Sequence, residues 1–128
     1  MVVVPAALRR ELEAHAEAEA PNEACGYLAL RGGVAERFLP AENAAASPYR
    51  FDMRVREPAL VIDLEDEGFE LAIFHSHPTD KAEPSRTDIE NIGLYEGRPY
   101  LILSRPTGEL RAWRIADGRV EKLELEIE

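Results

Sequence analysis

The sequence predicts an α/β fold of the mixed α+β kind, in which helices flank one mixed β-sheet. Three observations predict it: three segments have helical periodicity, a buried apolar strand lies between the second and the third, and alternating strands follow at the C-terminal end. A chain of 128 residues is long enough to bury one hydrophobic core. We therefore expect a single domain over residues 1–128.

The first predicted element is an amphipathic helix over residues 5–19. Leu8, Leu12 and Ala16 recur at helical spacing. Pro5 suits the first turn of such a helix, because its fixed φ is compatible with that position.

Strand patterns and two further helices account for the rest of the chain. The two apolar runs of residues 26–39 are joined at Gly32-Gly33, which predicts a β-hairpin. The other predicted elements are, in chain order, an extended piece at 47–52, a helix in 57–70 with a break at Gly68, a strand at 70–77, a helix at 85–95, and strands at 98–104, 108–115 and 119–128. This order is typical of a layered domain.

Composition and charge exclude several classes of function. The 15 basic and 25 acidic residues give a net charge of -10, whereas a protein that grips phosphates should be basic, so we expect no nucleic-acid partner. No apolar run is long enough to span a bilayer, and the apolar N-terminal opening is too short for a signal peptide, so we expect no membrane partner. The single cysteine, Cys25, cannot form an internal disulfide, which favours a cytoplasmic location.

The segment FHSHPTDKAEPSRTD contains two of the three histidines. Residues two apart in a strand share a face, so His75 and His77 should project together, and Pro78 ends the strand directly after them. Paired neutral imidazoles can chelate a metal, and zinc accepts nitrogen and carboxylate oxygen in a tetrahedron. Asp88, with ten residues between it and His77, would return as a third ligand and leave the fourth position for water.

The same residues also have ordinary structural interpretations. Ser85 is a typical helix N-cap, with Asp88 at the third helical position near the positive end of the helix dipole. A capped helix start is nevertheless a rigid place from which to aim a ligand. Glu23 is a candidate base for a hydrolytic site, and Gly26 allows close backbone approach, but considered alone Glu23 is a surface carboxylate.

Other candidates are weaker. Cys25 could be a nucleophile, but free cysteines are usually buried small hydrophobes. His15 lies three residues after Leu12 and flanks the apolar stripe, which favours a packing or boundary role. The His-x-Glu and Pro-Cys-x-x-Cys motifs of nucleobase deaminases, a Gly-rich phosphate loop and a Gly-x-Ser-x-Gly elbow are all absent.

Taken together, these residues resemble the motif of the JAMM (MPN-plus) metalloproteases. That motif has an upstream glutamate, then His-x-His-Pro, then Ser-x-x-Asp, with ten residues between the second histidine and the aspartate. Its elements are matched here by Glu23, His75-Ser76-His77-Pro78, Ser85 and Asp88. The sequence EACGYL further resembles the small stand-alone prokaryotic members. The resemblance covers nearly the whole chain and implies the family's cytidine-deaminase-like layered architecture.

The resemblance also implies a zinc metallopeptidase or isopeptidase. His75, His77 and Asp88 would hold Zn²⁺, Glu23 would act as the general base, and Ser85 would donate a hydrogen bond to the oxyanion. Compact prokaryotic members act after the C-terminal glycine of ubiquitin-fold proteins, including sulfur carriers. One branch deconjugates such proteins from lysines, and another releases a C-terminal cysteine.

Two alternatives from other functional classes stay open. One is a catalytically silent MPN-type scaffold or interaction module, against which the five filled positions argue. The other is a metal-binding module without hydrolysis, against which Glu23 argues. The branch of the family, the metal used in the cell and the oligomeric state, including a homodimer, are not decided by the sequence.

Overall fold

The computed structural model describes residues 1–128, which form three α-helices and nine β-strands. The helices are α1 (Ala6–Glu19), α2 (Pro58–Asp66) and α3 (Arg86–Glu90), with a 3₁₀ turn at Gly93–Tyr95. The strands are β1 (Val2–Val4), β2 (Cys25–Arg31), β3 (Val34–Asn43), β4 (Met53–Arg54), β5 (Glu70–His77), β6 (Pro99–Ser104), β7 (Leu110–Ala116), β8 (Arg119–Leu123) and β9 (Leu125–Ile127). None of the helices has the length and hydropathy needed to cross a membrane.

The strands form one mixed sheet, as predicted. Eight of them lie in the order β8-β7-β6-β5-β2-β3-β1-β9, and β4 pairs with β3. β5 is parallel to β6, and β1 is parallel to both β3 and β9, while the other pairs are antiparallel. Only Glu124 separates β8 from β9 along the chain, although they lie at opposite ends of this order. The sheet therefore curls until its two edges meet.

Successive side chains of β5 pack into hydrophobic clusters on opposite faces of the sheet. Ala72 and Phe74 pack in the cluster that contains Leu12 of α1. Ile73 packs on the opposite face, in the cluster that is flanked by Ile89 of α3. Full burial of one such large side chain stabilises a fold by about 1.5–3 kcal/mol. Helices thus cover both faces of the sheet, and the expected layered arrangement is confirmed.

The hairpin between β2 and β3 turns at Gly32-Gly33, as predicted. Both glycines have positive φ, at 57° and 81°, which two-residue hairpins of the I′ type require. A Cβ on Gly33 would lie 2.5 Å from the carbonyl oxygen of Met1. The carbonyl of Gly33 also accepts a hydrogen bond from the Val3 N–H at 2.9 Å. The turn therefore needs glycine for its backbone and for the close approach of β1.

The predicted helix at 85–95 is wrong beyond Glu90. α3 ends there, Asn91 is its C-cap, and the 3₁₀ turn follows separately. Gly93 has φ 47°, in the left-handed region, so an α-helix cannot continue through it. The helix predicted within residues 57–70 is confirmed as α2, which ends at Asp66, and the predicted break at Gly68 follows it with φ 93°.

The ends of the sheet also differ from expectation. The predicted strand at 119–128 is two strands, because its first part pairs with β7 and its last part with β1. β1 itself was not predicted, since three apolar residues are too few to establish a period. The extended piece at 47–52 has no strand pairing, and the adjacent residues Met53–Arg54 form β4 instead.

Candidate metal centre and catalytic cleft

The two histidines at the end of β5 share one face of the strand, as predicted. Their Nε2 atoms lie 3.1 Å apart, and Oδ2 of Asp88 lies 3.1 Å from Nε2 of His77 and 3.3 Å from Nε2 of His75. Tetrahedral zinc with bonds of about 2.0–2.2 Å holds its donor atoms about 3.3–3.6 Å apart. The three atoms therefore form a triangle close in size to one face of such a coordination shell.

The two imidazole rings are oriented by different contacts. Nδ1 of His77 donates a hydrogen bond to the carbonyl oxygen of Lys81 at 2.7 Å, which leaves the Nε2 lone pair facing the triangle. Nδ1 of His75 is buried and has no hydrogen-bond partner. The ring of His75 instead stacks on the ring of Phe51, with their centroids 4.7 Å apart, and meets the ring of Tyr100 edge-on, with their centroids 5.0 Å apart. Packing therefore holds the His75 ring.

Asp88 is aimed by the cap of its own helix. The Asp88 N–H donates to Oγ of Ser85 at 3.0 Å, and the Ser85 N–H donates to Oδ2 of Asp88 at 2.9 Å. This reciprocal capping box is the local structure that the sequence predicts. The same carboxylate oxygen that closes the box also faces both histidines, so the structural and the functional interpretations of Asp88 are compatible.

The loop between the histidines and α3 is held by buried side chains. Three consecutive carbonyl oxygens accept hydrogen bonds: that of Asp80 from Ser104 Oγ at 2.7 Å, that of Lys81 from His77 Nδ1 at 2.7 Å, and that of Ala82 from Trp113 Nε1 at 2.9 Å. Two of these donors belong to β6 and β7. The path that brings Asp88 back to the histidines is therefore fixed by tertiary contacts.

Glu23 lies beside this triangle, just before β2. Its side chain is only 2% exposed, so the interpretation as a surface carboxylate is wrong. Oε1 of Glu23 has no hydrogen-bond partner, and donor atoms of Glu23, His75 and His77 lie within 4.8 Å of one another. Ser76, on the opposite face of β5, accepts a hydrogen bond from the Ala24 N–H at 2.8 Å and tethers the residue after Glu23. The cluster is suited to a metal ion.

Burial and charge set the protonation of the cluster. Burial, and then the Asp88 carboxylate, raise the pKa of Glu23 to about 8. Burial lowers the pKa of His75, so this ring is neutral at neutral pH. Burial alone would raise the pKa of Asp88, but the neighbouring histidines and the Ser85 N–H hold it well below its usual range. The site thus presents a neutral imidazole and an ionised carboxylate, both of which are metal ligands.

A cleft of about 230 Å³ opens at this cluster. Its lining includes Glu23, His77 and Ser85, together with the exposed residues Tyr49 and Thr79. The Ser85 hydroxyl accepts the Asp88 N–H, which leaves its own proton free to be donated into the cleft. The cleft therefore brings together a free carboxylate, one candidate metal ligand and a hydroxyl donor.

Cys25 and His15 have the structural roles that were expected. Cys25 is fully buried, and burial raises the pKa of its thiol to about 12. His15 packs edge-on against Phe38 at 5.6 Å, and its Nε2 lies 3.0 Å from the Cys25 carbonyl oxygen. Neither side chain lines the cleft.

Residues 5–116 match the family described as prokaryotic homologues of the JAB domain. The match covers most of the chain and includes every residue of the cluster. The chain belongs to this family. The two metal-ligand candidates on β5 and the one on α3 are thus residues of a JAB domain.

Three relatives of this JAB domain have names that refer to peptidase, protease or desampylase activity. It is 35% identical over 126 residues to the CysO-cysteine peptidase of Mycobacterium tuberculosis, and the alignment covers 94% of this chain and 86% of that protein. It is 39% identical over 126 residues to the probable TtuB-protein conjugate cleaving protease of Thermus thermophilus, with 93% and 79% covered. It is 30% identical over 120 residues to the desampylase of Haloferax volcanii, with 88% and 84% covered.

Solved structures have the same fold as this JAB domain. A protein from Desulfitobacterium hafniense superposes with a TM-score of 0.85 at 32% identity, with 100% of this chain and 93% of that chain covered. A structure described as a JAMM metalloprotease-like zinc site superposes with a TM-score of 0.61 at 17% identity, with 100% and 98% covered. The second similarity establishes the fold alone.

Two contributors to the cluster were not found from the sequence. Phe51, which stacks on His75, lies in a segment without periodicity, and nothing local indicates its partner. Asn43 is a buried polar residue at the end of β3, and it is not part of any recognised sequence motif. A single aromatic residue in a loop, or a single asparagine at the end of a strand, is too common to identify a site without the fold.

Proposed function

We propose that this protein is a zinc-dependent peptidase or isopeptidase of the JAMM type, in which His75, His77 and Asp88 hold the ion. The observation that carries this proposal is the triangle of three electron-pair donors, 3.1–3.3 Å apart, beside the unpartnered carboxylate of Glu23. Two imidazole nitrogens and one carboxylate oxygen are a ligand set that zinc prefers, and they leave a fourth position open.

The residues of the cleft suit amide hydrolysis. A bound zinc ion supplies Lewis acidity, which lowers the pKa of water to about 7 and polarises a carbonyl. Glu23 accepts a proton from the attacking water and passes it to the leaving nitrogen. The Ser85 hydroxyl donates a hydrogen bond to the oxyanion of the tetrahedral intermediate.

A silent scaffold is the less favoured function. A protein without chemistry has no need of a buried carboxylate without a hydrogen-bond partner, because such a group costs stability. Glu23 is such a group, and it faces the cleft together with Ser85. A metal-binding module without hydrolysis is also less favoured, because His75, His77 and Asp88 already supply three ligand atoms and leave Glu23 available as a base.

The proposed substrate is a ubiquitin-fold sulfur carrier extended beyond its C-terminal glycine. The names of the relatives support this choice, since they refer to CysO-cysteine, to TtuB-protein conjugates and to desampylation. The scissile bond is the amide after the carrier's terminal glycine, and the leaving group is a lysine side chain or a free cysteine.

Mass spectrometry of two carrier substrates tests this function. One carrier bears a C-terminal cysteine, and the other is linked to a lysine of a second protein. We expect cleavage after the terminal glycine of at least one of them. In a carrier whose tail ends in two glycines, replacement of either glycine should abolish cleavage. Equal cleavage of casein would contradict the substrate while leaving the zinc chemistry standing.

Four further expectations stay part of the proposal. They are a single domain over residues 1–128, a cytoplasmic location, the absence of nucleic-acid and membrane partners, and an oligomeric state that includes a homodimer as an option. The net charge of -10 supports the absence of a nucleic-acid partner, and the unpaired Cys25 supports the cytoplasmic location.

A further inference from the structure

Asn43 is the most completely bonded polar side chain near the cluster. It ends β3 and is 7% exposed. Its Nδ2 donates to the carbonyl oxygens of Glu23 at 3.0 Å and Arg50 at 3.1 Å. Its Oδ1 accepts from the N–H groups of Ala45 at 3.0 Å and Asp52 at 2.9 Å. The two donors and two lone pairs of one amide are all used, and no other side chain of this size offers the same set.

These four bonds join the general-base candidate to the loop at 44–52. The Glu23 N–H donates to the carbonyl oxygen of Ser47 in this loop at 2.9 Å, so both backbone polar groups of Glu23 depend on the loop and on Asn43. The same loop carries Phe51, which stacks on His75, and Tyr49, which lines the cleft. Asn43 therefore connects the backbone of Glu23, one wall of the cleft and the packing of a metal-ligand candidate.

The side chain of Glu23 has little else to orient it. Its Oε1 has no hydrogen-bond partner, so the position of the carboxylate follows from its backbone and from the shape of its pocket. A proton acceptor must lie within about 3 Å of the proton that it takes. A displacement of the Glu23 backbone of about 1 Å is therefore sufficient to impair the reaction.

We propose that Asn43 is a positioning residue for Glu23: its amide holds the general base at the cleft without touching substrate or metal. The inference rests on the proposed function, in which Glu23 is the base. Because Asn43 bonds only to backbone atoms, its contribution is to geometry, and it should alter the rate of the chemical step while leaving metal binding intact.

Asn43→Asp is the sharpest test, because it changes two donors to acceptors and keeps Oδ1. Removing the donors leaves the Glu23 and Arg50 carbonyls facing a carboxylate, which loosens the segment. We expect kcat to fall roughly 10- to 100-fold, since misplacing a catalytic group by about 1 Å costs that much. KM should change little, and the zinc content should stay that of the wild type. Asn91→Asp is the matched control: it makes the same chemical change at an exposed position and should leave kcat unchanged.

A second readout does not depend on activity. Hydrogen exchange of the Glu23 amide should speed up roughly 10- to 100-fold in Asn43→Asp, because losing buried hydrogen bonds weakens the closed state by that factor. The amide of Leu28, in the middle of β2, should exchange as in the wild type. Asn43→Ser introduces no charge and should show the same pattern if Asn43→Asp does not fold.

The combination with Glu23→Gln decides whether Asn43 acts through Glu23. If it does, Asn43→Asp has no further effect on kcat in the Glu23→Gln background. An equal fall of kcat in both backgrounds, an unchanged kcat in the single variant, or loss of zinc along with activity would each overturn the positioning role. Faster exchange of the Glu23 amide in a protein without hydrolytic activity would leave the structural role standing and place the failure in the proposed function.

Discussion

Nε2 of His75 and Oδ2 of Asp88 lie 3.3 Å apart, although one residue belongs to a strand and the other to the first turn of a helix. Burial keeps the histidine neutral, and the neighbouring groups keep the carboxyl ionised. Two lone pairs this close repel each other unless a proton or a cation lies between them. The proposed zinc ion is the cation that best fits a site with two imidazoles and one carboxylate.

Removal of one ligand should abolish zinc binding. His77→Ala and Asp88→Ala each leave two protein ligands, which are too few for a stable site. Elemental analysis should show close to one zinc per chain in the wild type and a large loss in both variants. Asp80→Ala is the control, because this exposed residue lies in the same loop and offers no atom to the triangle. Full zinc content in both ligand variants would rule out the assignment.

Glu23→Gln should separate metal binding from chemistry. The amide keeps the shape of the side chain but cannot accept a proton, so the variant should bind zinc normally. Its hydrolytic rate should fall about 10²- to 10⁴-fold, which is the usual contribution of a general base. The measurement is kcat on a carrier substrate beside the zinc content of the same sample. Near-normal turnover would show that another group takes the proton.

Ser85→Ala should affect both catalysis and stability. Loss of one oxyanion donor costs roughly 10²-fold in kcat. Loss of the N-cap hydrogen bond to Asp88 costs about 0.5–2 kcal/mol of stability, so the melting temperature must be measured on the same protein. Ser85→Thr keeps a hydroxyl and should retain most of the wild-type kcat and most of the wild-type stability. A variant that is destabilised but fully active would limit Ser85 to capping.

The thiol of Cys25 should be inert in the folded protein. Its pKa is raised from 9.0 to about 12, mainly by burial, so it stays protonated at pH 8 and resists iodoacetamide until the chain is unfolded. Above pH 9 the unfolded state loses this proton while the folded state keeps it. Stability should therefore fall as the pH rises from about 9 to 12, and Cys25→Ala should reduce that slope. Rapid alkylation of the native protein would contradict this burial.

Local sequence determined half of the candidate site. The two-residue period of a strand and Pro78 directly after it put His75 and His77 on one face at a strand end, and both features act within a few residues. The capping box of Ser85 and Asp88 is equally local. For this reason these four residues could be predicted to lie at an open strand end and at a rigid helix start.

The remaining half depends on contacts between distant parts of the chain. Trp113 and Ser104 hold the loop that returns Asp88 to the histidines, and neither is near it in sequence. The burial of Glu23 arises from its neighbours in the fold and could not be seen in its flanking residues. The strand Val2–Val4 was missed for the same reason, because its partners come from residue 34 and from the C-terminal end.

Titration of zinc into protein whose metal has been removed with a chelator tests the central claim most directly. Protein stripped of metal should not cleave a carrier extended beyond its terminal glycine. Added zinc should restore cleavage in proportion to occupancy and reach a plateau near one equivalent per chain, because one triangle of donors accepts one ion. His77→Ala should show no restoration at the same zinc concentrations. Cleavage that persists in the stripped wild-type protein, or a wild type that stays metal-free after zinc dialysis, would contradict the account.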